Sequence, residues 1–276
     1  MIGTLYVVAT PIGNLEDMTM RAVRILRESA VIACEDTRQS RKLMDHFGIH
    51  TPLVSYHEHN EAQRSGELAE RLRAGEDIAL ISDAGTPLVS DPGYRVVQAA
   101  IAAGARVTPI PGVSAGIAAL SGSGLPTDSF RFCGFLPAKS AQRRKMLEKL
   151  SNETCTLIFY ETPHRILDAL EDIAATLTTR PVVLARELTK LHEEFLRGTA
   201  TEIHTQLAAR PTVKGEITLL IGKGESTATK ADASVEGAVR AAEAGGLPRM
   251  DAIKRVAKER GLSKREVYRL FADLKA

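Results

Sequence analysis

The sequence predicts an α/β protein with two α/β domains, a parallel sheet in the first and a mixed sheet in the second, followed by a small helical C-terminal extension. Three observations predict it. In residues 1–123, short apolar runs rich in β-branched residues alternate with amphipathic segments of helical length. In residues 124–224, strand-like runs outnumber helical ones. Residues 234–276 contain only short helical patterns.

The first domain is expected to consist of alternating strands and helices. Its predicted strands are 4–9, 31–34, 78–82 and 106–110, and its predicted helices are 18–29, 38–47, 61–73, 94–103 and a helix of small residues from Ser114. Buried strands that alternate with helices are typical of a parallel sheet covered on both faces.

A change of pattern marks the second domain. The glycines and the proline of residues 122–126 predict a boundary there. Beyond it, the predicted strands are 130–135, 156–160, 182–187, 194–199 and 216–221, and the predicted helices are 138–150, 163–176 and 202–209. This higher ratio of strands to helices predicts a mixed sheet.

The C-terminal region reads as a linker followed by a helical domain. Residues 223–233 are small and polar without apolar periodicity, which is typical of a linker. The following helices are predicted at 235–244, 249–258 and 264–274, with Ser263 as the N-cap of the last. The second and third have the spacing of a helix-turn-helix.

Composition excludes several classes of protein. The chain has 276 residues, of which 44% are hydrophobic and 25% charged, so it is neither collagenous, nor a disulfide framework, nor wholly disordered. Its apolar runs are shorter than the about 20 residues that cross a bilayer, so we expect no membrane partner. Three cysteines without CxxC spacing and an N-terminus without a basic segment predict reduced thiols and a cytoplasmic location.

The basic character of the chain is concentrated at its end. The net charge is +2, but residues 249–276 alone carry nine Lys or Arg against four acids. Such a segment is either a solvated charged face or a contact for nucleic acid, in which Lys254, Lys258, Arg265 and Arg269 would neutralise phosphates.

Two irregular loops follow predicted parallel strands, where open α/β sheets place ligands. Residues 82–93 contain two glycines and two prolines and exceed the usual length of about 2–6 residues for such a loop. Residues 109–116 open a helix whose free amides suit a polar ligand. A purely structural role for the first loop remains an alternative.

Other motifs suggest different chemistry less specifically. Residues 112–116 match the G-x-S-x-G elbow of serine hydrolases, with Ser114 as nucleophile and Asp168 or Asp172 and His192 or His204 as partners, but no HG-type oxyanion loop precedes it. The His and Glu residues of 57–61 could suggest a metal site, but they lack HExxH spacing and have no cysteine nearby, so a polar loop and helix start is favoured and no metal is expected. P-loop and dinucleotide-binding glycine motifs are missing from the sequence.

Taken together, the motifs resemble those of the tetrapyrrole methylase superfamily over residues 3–222. The segments that carry the resemblance are 5–14, 34–38, 82–93, 111–115, 160–165 and 215–221. Within the superfamily, the chain is similar to the group that 2′-O-methylates the ribose of a cytidine in small-subunit ribosomal RNA. That narrower similarity also covers the basic tail.

The resemblance implies S-adenosyl-L-methionine bound in a cleft between two domains, a homodimer, and ribosomal RNA or the 30S particle as substrate. The residues it assigns to the cofactor are Pro11, Ile12, Asp83, Gly85, Thr86, Pro87, Val89, Ser114, Ala115, Phe159, Tyr160, Glu216, Ile217 and Thr218. Many members have G-D-P where this chain has Gly85-Thr86-Pro87, and Asp83 is our candidate for the role of that aspartate.

A ribose hydroxyl must lose its proton to accept a methyl group, so a base is expected. Glu161, His57 and Glu35 are the candidates, with water as an alternative, while Arg38, Arg165 and Lys190 would bind phosphates. Two rival functions stay open. One is a methyltransferase of the same superfamily with another substrate, and the other is an RNA-binding α/β protein without catalysis.

Overall fold

The structure is a computed structural model that describes residues 1–224 and 235–272. It divides into two compact units, one holding both sheets (Met1–Ser151 and Cys155–Gly222) and one holding the C-terminal helices. Most of the predicted linker, residues 225–233, lies outside the described residues, as do residues 273–276. No helix within the described ranges is long and apolar enough to span a membrane.

The first sheet has five parallel strands in the order β3-β2-β4-β1-β5, which confirms the predicted parallel sheet. The strands are β1 (Thr4–Val8), β2 (Val31–Cys34), β3 (Leu53–Ser55), β4 (Ile78–Leu80) and β5 (Arg106–Ile110). The helices are α1 (Met20–Glu28), α2 (Thr37–His46), α3 (Glu61–Arg73), α4 (Tyr94–Ala102) and α5 (Ala115–Ser123). Strand β3 was not predicted, because its three residues are only partly buried and lack the fully apolar run of the equally short β4.

Helices cover the first sheet on both faces. All four residues of β2 are buried, with Ile32 and Cys34 in one hydrophobic cluster and Val31 and Ala33 in another. Side chains of a strand alternate between faces, so burial on both faces requires an apolar run instead of an apolar–polar alternation. The loops after β1, β2, β4 and β5 therefore emerge together at the carboxyl edge of this sheet.

The second sheet is mixed, as predicted, with the order β6-β7-β10-β8-β9. Strand β6 runs parallel to β7, and the other neighbours are antiparallel. The strands are β6 (Phe130–Phe135), β7 (Thr156–Glu161), β8 (Val182–Arg186), β9 (Glu194–Gly198) and β10 (Ile217–Ile221). The helices are α6 (Ser140–Leu150), α7 (Ile166–Thr176) and α8 (Ala200–Ala208).

Helix α5 connects the two sheets. It follows β5 of the first sheet, yet its Ala119 and Leu120 pack on Ile158 and Leu220 of the second sheet. The opposite face of the second sheet is covered by α6, α7 and α8. Because α5 leaves one sheet and packs on the other, it holds the edges of the two sheets close together.

The C-terminal helices have a small core of their own. They are α9 (Val235–Ala244), α10 (Arg249–Arg260) and α11 (Lys264–Ala272), and Val239, Ile253 and Val267 are buried among them. Ser263 caps α11 as predicted, since its hydroxyl accepts from the Glu266 amide at 3.2 Å while Glu266 accepts from the Ser263 amide at 2.8 Å. The predicted end of α11 at residue 274 lies outside the described residues.

Candidate active site

A cavity of about 330 Å³ lies between the carboxyl edge of the first sheet and the second sheet, which is the size of a site for a small ligand. Its lining residues come from the loops after β1, β4 and β5 on one side and from β6, β7, β10 and adjoining loops on the other. They are Ile12, Ala84, Gly85, Thr86, Val89, Ser90, Asp91, Ser114, Ala115, Phe135, Tyr160, Glu161, Thr162, Pro163, Leu188, Gly215, Glu216, Ile217 and Thr218.

Backbone hydrogen bonds fix the loops after β1 and β4 to each other. The Thr10 amide donates to the Gly85 carbonyl at 2.9 Å, and the Gly85 amide donates to the Thr10 carbonyl at 3.0 Å. Gly85 has a φ of 79°, a conformation that glycine adopts without steric cost. This pairing leaves Ile12 and Gly85 side by side in the cavity wall.

The rest of the loop after β4 is held in an unusual conformation. Leu88 and Ser90 have φ values of 72° and 68°, which cost about 1 kcal/mol or more for residues with a Cβ. The surrounding contacts maintain it, because the Thr86 hydroxyl donates to the Val113 carbonyl at 3.0 Å. Backbone strain of this kind is concentrated at functional sites.

Tyr160 closes the cavity at the first turn of α5. Its hydroxyl is hydrogen-bonded by the Gly116 amide and by the Ser114 side chain, and its ring lies 4.9 Å from that of Phe132 between centroids. Burial raises the pKa of Tyr160, so the group is a neutral phenol at neutral pH. It therefore offers the cavity both an aromatic surface and a polar oxygen.

Glu161, at the end of β7, has one oxygen engaged and one without a partner. Its Oε1 accepts from the Thr162 amide at 2.9 Å and from Arg165 Nε and Nη2 at 2.9 and 2.6 Å. Its Oε2 is buried and has no hydrogen-bond partner within residues 1–224. A buried acceptor left unpaired is costly, so a ligand that donates to it would be favoured.

Carboxylates gather on the side of the cavity formed by the first sheet. Burial, followed by the nearby carboxylates of Glu35 and Asp83, raises the pKa of Asp91 to about 6. Burial, with Asp83 and Glu58 as further causes, also raises the pKa of Glu35. Carboxyl groups with raised pKa values in a cleft are typical of functional sites.

Lys190 lies between the two walls of the cleft. Its ammonium contacts Glu187 Oε1 at 2.8 Å and Glu216 Oε2 at 3.0 Å. Burial lowers the pKa of Lys190 while the two carboxylates raise it, and the net shift is upward. The aliphatic part of the side chain passes over Gly13, in the loop after β1.

Most residues predicted to bind the cofactor lie in the cavity wall. They are Ile12, Gly85, Thr86, Val89, Ser114, Ala115, Tyr160, Glu216, Ile217 and Thr218. Pro11, Asp83, Pro87 and Phe159 do not line it. Phe159 is fully buried in the core on the opposite face of the second sheet, because side chains alternate along β7. Asp83 Oδ1 instead accepts from the Asp36 amide at 3.2 Å.

The three predicted bases have different positions. Glu161 lines the cavity, whereas His57 and Glu35 do not. The His57 amide donates to Asn60 Oδ1 at 2.9 Å, and Glu35 lies close enough to His57 to be affected by its charge.

Among the residues predicted to bind phosphates, Arg38 is exposed at the start of α2, while Arg165 and Lys190 are already paired with carboxylates. In the C-terminal helices, Lys254 pairs with Asp251. Lys258, Arg265 and Arg269 form no ion pair with any described residue. Their binding roles stay predictions.

Several lining residues were not predicted as site residues. Ala84, Ser90 and Asp91 belong to the loop that the sequence singled out, and Thr162 and Pro163 directly follow Glu161, so proximity in sequence was the available signal. Phe135, at the end of β6, and Leu188, in the turn after β8, belong to no motif, whereas Gly215 begins the segment 215–221 that carries the family resemblance.

The side chains of a serine hydrolase are not assembled around Ser114. Asp172 is buried and bound to Arg143 at 2.7 Å, and His204 contacts Glu171 at 3.3 Å. The described part of the chain also contains no group of His, Cys, Asp and Glu that could hold a metal ion. The geometry therefore favours binding of an organic ligand in the cavity over either alternative.

Comparisons with known proteins agree with this arrangement. The family model described as Tetrapyrrole (Corrin/Porphyrin) Methylases matches residues 4–204. A protein of Halalkalibacterium halodurans named ribosomal RNA small subunit methyltransferase I is 50% identical over 98% of this chain and 94% of its own. A protein of the same name from Synechocystis sp. is 46% identical over 100% of this chain and 99% of its own.

Solved structures show the same fold at low sequence identity. The uroporphyrin-III C-methyltransferase of Thermus thermophilus, complexed with S-adenyl homocysteine, has a TM-score of 0.54 and 18% identity over 79% of this chain and 96% of its own. By its sequence and its two-sheet architecture, this chain is an enzyme that belongs to the tetrapyrrole methylase family, in the group of relatives named ribosomal RNA small subunit methyltransferase I.

Proposed function

We propose that this enzyme transfers the methyl group of S-adenosyl-L-methionine to the 2′-oxygen of a cytidine ribose in small-subunit ribosomal RNA. The observation that carries the proposal is the cavity between the two sheets. It is supported by the relative named ribosomal RNA small subunit methyltransferase I, to which this chain is 50% identical over 98% of its length. The part of the proposal that names the ribose 2′-oxygen is supported by the sequence resemblance.

The residues of the cavity suit the methyl donor. Glu161 Oε2 is a buried acceptor for a hydroxyl or amino group, and the amide end of α5 at Ser114 and Ala115 suits a carboxylate. Tyr160 and Phe135 supply aromatic surface, and Ile12 and Ile217 supply apolar contact. When bound, the donor supplies an already activated sulfonium methyl group, so the protein has chiefly to position the acceptor and to remove its proton.

Basic groups would guide the RNA. Arg38 is exposed at the start of α2, directly after the strand that ends beside Glu35. In the C-terminal helices, α11 presents Lys264, Arg265 and Arg269 to solvent around the exposed ring of Tyr268. Lys and Arg neutralise phosphates, and an exposed aromatic ring stacks on an unpaired base.

We extend the proposal to a homodimer that acts in the cytoplasm. Strand β6 is an edge of the second sheet, and it exposes Phe130 and Phe135 at 45% and 50% of their surface. An apolar edge strand favours pairing with another chain, and a second copy would cover it. Sedimentation equilibrium of the purified protein measures this directly, with twice the chain mass as the expected result.

The experiment that tests the proposed function follows a tritiated methyl group. The enzyme is incubated with labelled S-adenosyl-L-methionine and either free small-subunit RNA or 30S particles, and the RNA is digested to nucleosides. We expect the label in 2′-O-methylcytidine. Label on a base or on protein would contradict the proposal, and so would the absence of label from both the free RNA and the 30S particles. Comparison of the two RNA samples shows whether the assembled particle is required.

The labelling experiment, together with calorimetry of the methyl donor, separates the two rival functions. A related methyltransferase with another substrate would bind the methyl donor but leave both RNA samples unlabelled. A non-catalytic RNA-binding protein would bind RNA without binding the donor, which calorimetry detects.

A further inference from the structure

The predicted bases are poorly placed to take a proton inside the cavity. His57 and Glu35 do not line it. Glu161 lines the cavity, but its Oε1 already accepts hydrogen bonds from the Thr162 amide and from Nε and Nη2 of Arg165. The other oxygen of Glu161, Oε2, is the buried acceptor that the proposed function assigns to a hydroxyl or amino group of the methyl donor.

The carboxylate of Asp91 also lies in the cavity wall, and unlike that of Glu161 it is not hydrogen-bonded to any described arginine. Within residues 1–224 and 235–272, its side chain takes part in no hydrogen bond and no ion pair. It is half-buried, and its backbone position is fixed by the unusual φ values of its neighbours, 68° at Ser90 and 141° at Gly93. A Cβ at Gly93 would lie 2.9 Å from Leu88 Cδ1, so the loop has little freedom to move there.

The groups that face Asp91 come from both sheets. Glu35 follows β2 and Asp83 follows β4, and both carboxylates disfavour its ionised form. Tyr160, across the cavity on β7, is close enough for the charge of Asp91 to affect its hydroxyl. No cation among the described residues pairs with Asp91, so its surroundings favour uptake of a proton.

We propose that Asp91 is the general base that accepts the proton of the ribose 2′-hydroxyl, an inference that rests on the proposed function. The ribose oxygen forms a bond to the methyl carbon as the carbon–sulfur bond breaks, and the electron pair of that bond goes to sulfur. The hydroxyl proton passes to the carboxylate of Asp91, which becomes a neutral acid and later releases the proton to solvent.

The electrostatic setting of Asp91 suits this role. Burial and the carboxylates of Glu35 and Asp83 raise its pKa to about 6. The group is therefore ionised at neutral pH, yet it binds a proton more strongly than an ordinary aspartate. General bases are most effective when their pKa lies near the working pH.

The test compares Asp91→Asn with wild type in single turnovers on the RNA substrate. The amide keeps the shape but accepts no proton, so we expect methyl transfer to slow by about 10²–10⁴-fold, with the affinity for S-adenosyl-L-methionine changed by less than about twofold. Asp91→Glu should restore part of the rate. Glu70→Gln, on the exposed surface of α3, is the matched control and should behave as wild type.

Two pH measurements give readouts that a structural role would not produce. The wild-type rate should rise with pH through about 6 and then level off, and this dependence should be missing in Asp91→Asn. Independently of activity, the ¹³C resonance of the Asp91 carboxyl carbon in the free enzyme should titrate near the same value.

Three results would overturn the inference. One is an Asp91→Asn enzyme with the wild-type rate and pH profile, and another is an Asp91→Asn rate restored by saturating donor, which would make Asp91 a binding residue. The third is a wild-type enzyme that labels no RNA, which would overturn the proposed function as well. In the first two results, wild type still labels RNA, so the two failures are distinguishable.

Discussion

The side chain of Lys190 lies directly over Gly13, so that a Cβ at position 13 would stand 2.4 Å from Lys190 Cγ. Gly13 belongs to the loop after β1 in the first sheet, and Lys190 to the turn after β8 in the second. The ammonium of Lys190 is held in turn by Glu187 and Glu216. This contact joins the two walls of the cleft beside the cavity.

Gly13→Ala should therefore displace Lys190 and disturb the cleft. We expect a loss of about 1–3 kcal/mol in the free energy of unfolding, typical of overpacking, together with weaker binding of S-adenosyl-L-methionine. Lys190→Ala in the same chain removes the clash and should recover most of the loss. Denaturant unfolding and calorimetry of the two single variants and the double variant measure this coupling. Additive effects in the double variant would contradict it.

Arg165→Ala should destabilise the fold, because it leaves the fully buried Glu161 side chain without its ionic partner. Removing one partner of a buried pair costs about 3–5 kcal/mol. Arg24→Ala is the control, since Arg24 and Glu28 are both more than half exposed and such pairs contribute about 0–1 kcal/mol. Equal losses of unfolding free energy in the two variants would contradict this role for Arg165.

Asp91→Asn should make the protein more stable at alkaline pH. The pKa of Asp91 is raised from 3.8 to about 6, so the folded state favours its neutral form and the ionised form opposes folding above pH 6. The destabilisation caused by ionised Asp91 decreases as the pH falls from 6 towards 3.8, because the carboxyl group becomes protonated in the folded state. The melting temperature of Asp91→Asn should thus exceed that of wild type at pH 8 and equal it at pH 4. A gain of the same size at both values would rule out this cause.

Replacing Arg265 and Arg269 together with alanine should weaken RNA binding and reduce its salt dependence. Each lost phosphate contact lowers the slope of log K against log salt by about 0.7–0.9. Replacing Arg240 and Arg255 together with alanine is the charge-matched control, because these two arginines are paired with Glu236 and Glu259. Filter binding over a range of salt concentrations measures the slopes, and an unchanged slope in the variant without Arg265 and Arg269 would argue that α11 is only a solvated face.

Tyr268→Ala tests whether α11 also stacks on an unpaired base. Loss of the ring should cost about 1–3 kcal/mol of RNA-binding free energy, while Tyr268→Phe keeps the ring and should bind as wild type. The salt slope should be the same in both variants, since no phosphate contact is removed. Equal affinity of the alanine and phenylalanine variants would exclude stacking.

The sequence was sufficient for the architecture because buried parallel strands leave a strong local signal. The runs at β2 (Val31–Cys34) and β4 (Ile78–Leu80) are apolar and buried at every position, and both lie inside the first sheet. Strand β3 left no such signal, since its three residues are all only partly buried. The observed helix ends differ from the predicted ones by one to a few residues, because capping side chains fix the first turn. Asp36, for example, caps α2, which begins at Thr37 and not at residue 38 as predicted.

The site was predictable where one loop supplies it and not where distant segments meet. Residues 82–93 stood out by their two glycines, their two prolines and their length. Phe159 and Tyr160 could not be separated by motif, and strand alternation decides that Tyr160 faces the cavity. Neither the engagement of Glu161 by Arg165 nor the isolation of Asp91 is visible in sequence, because both depend on the packing of the two sheets.

The most direct test of the account is a calorimetric titration of S-adenosyl-L-methionine into wild type and into Ala115→Leu. Ala115 lines the cavity at the first turn of α5, where a larger side chain would occupy the space of the ligand. We expect one bound molecule per chain in wild type and a loss of affinity of about tenfold or more in the variant, with unchanged melting temperature. No heat of binding in wild type, or equal affinity in both proteins, would contradict the cavity as the cofactor site.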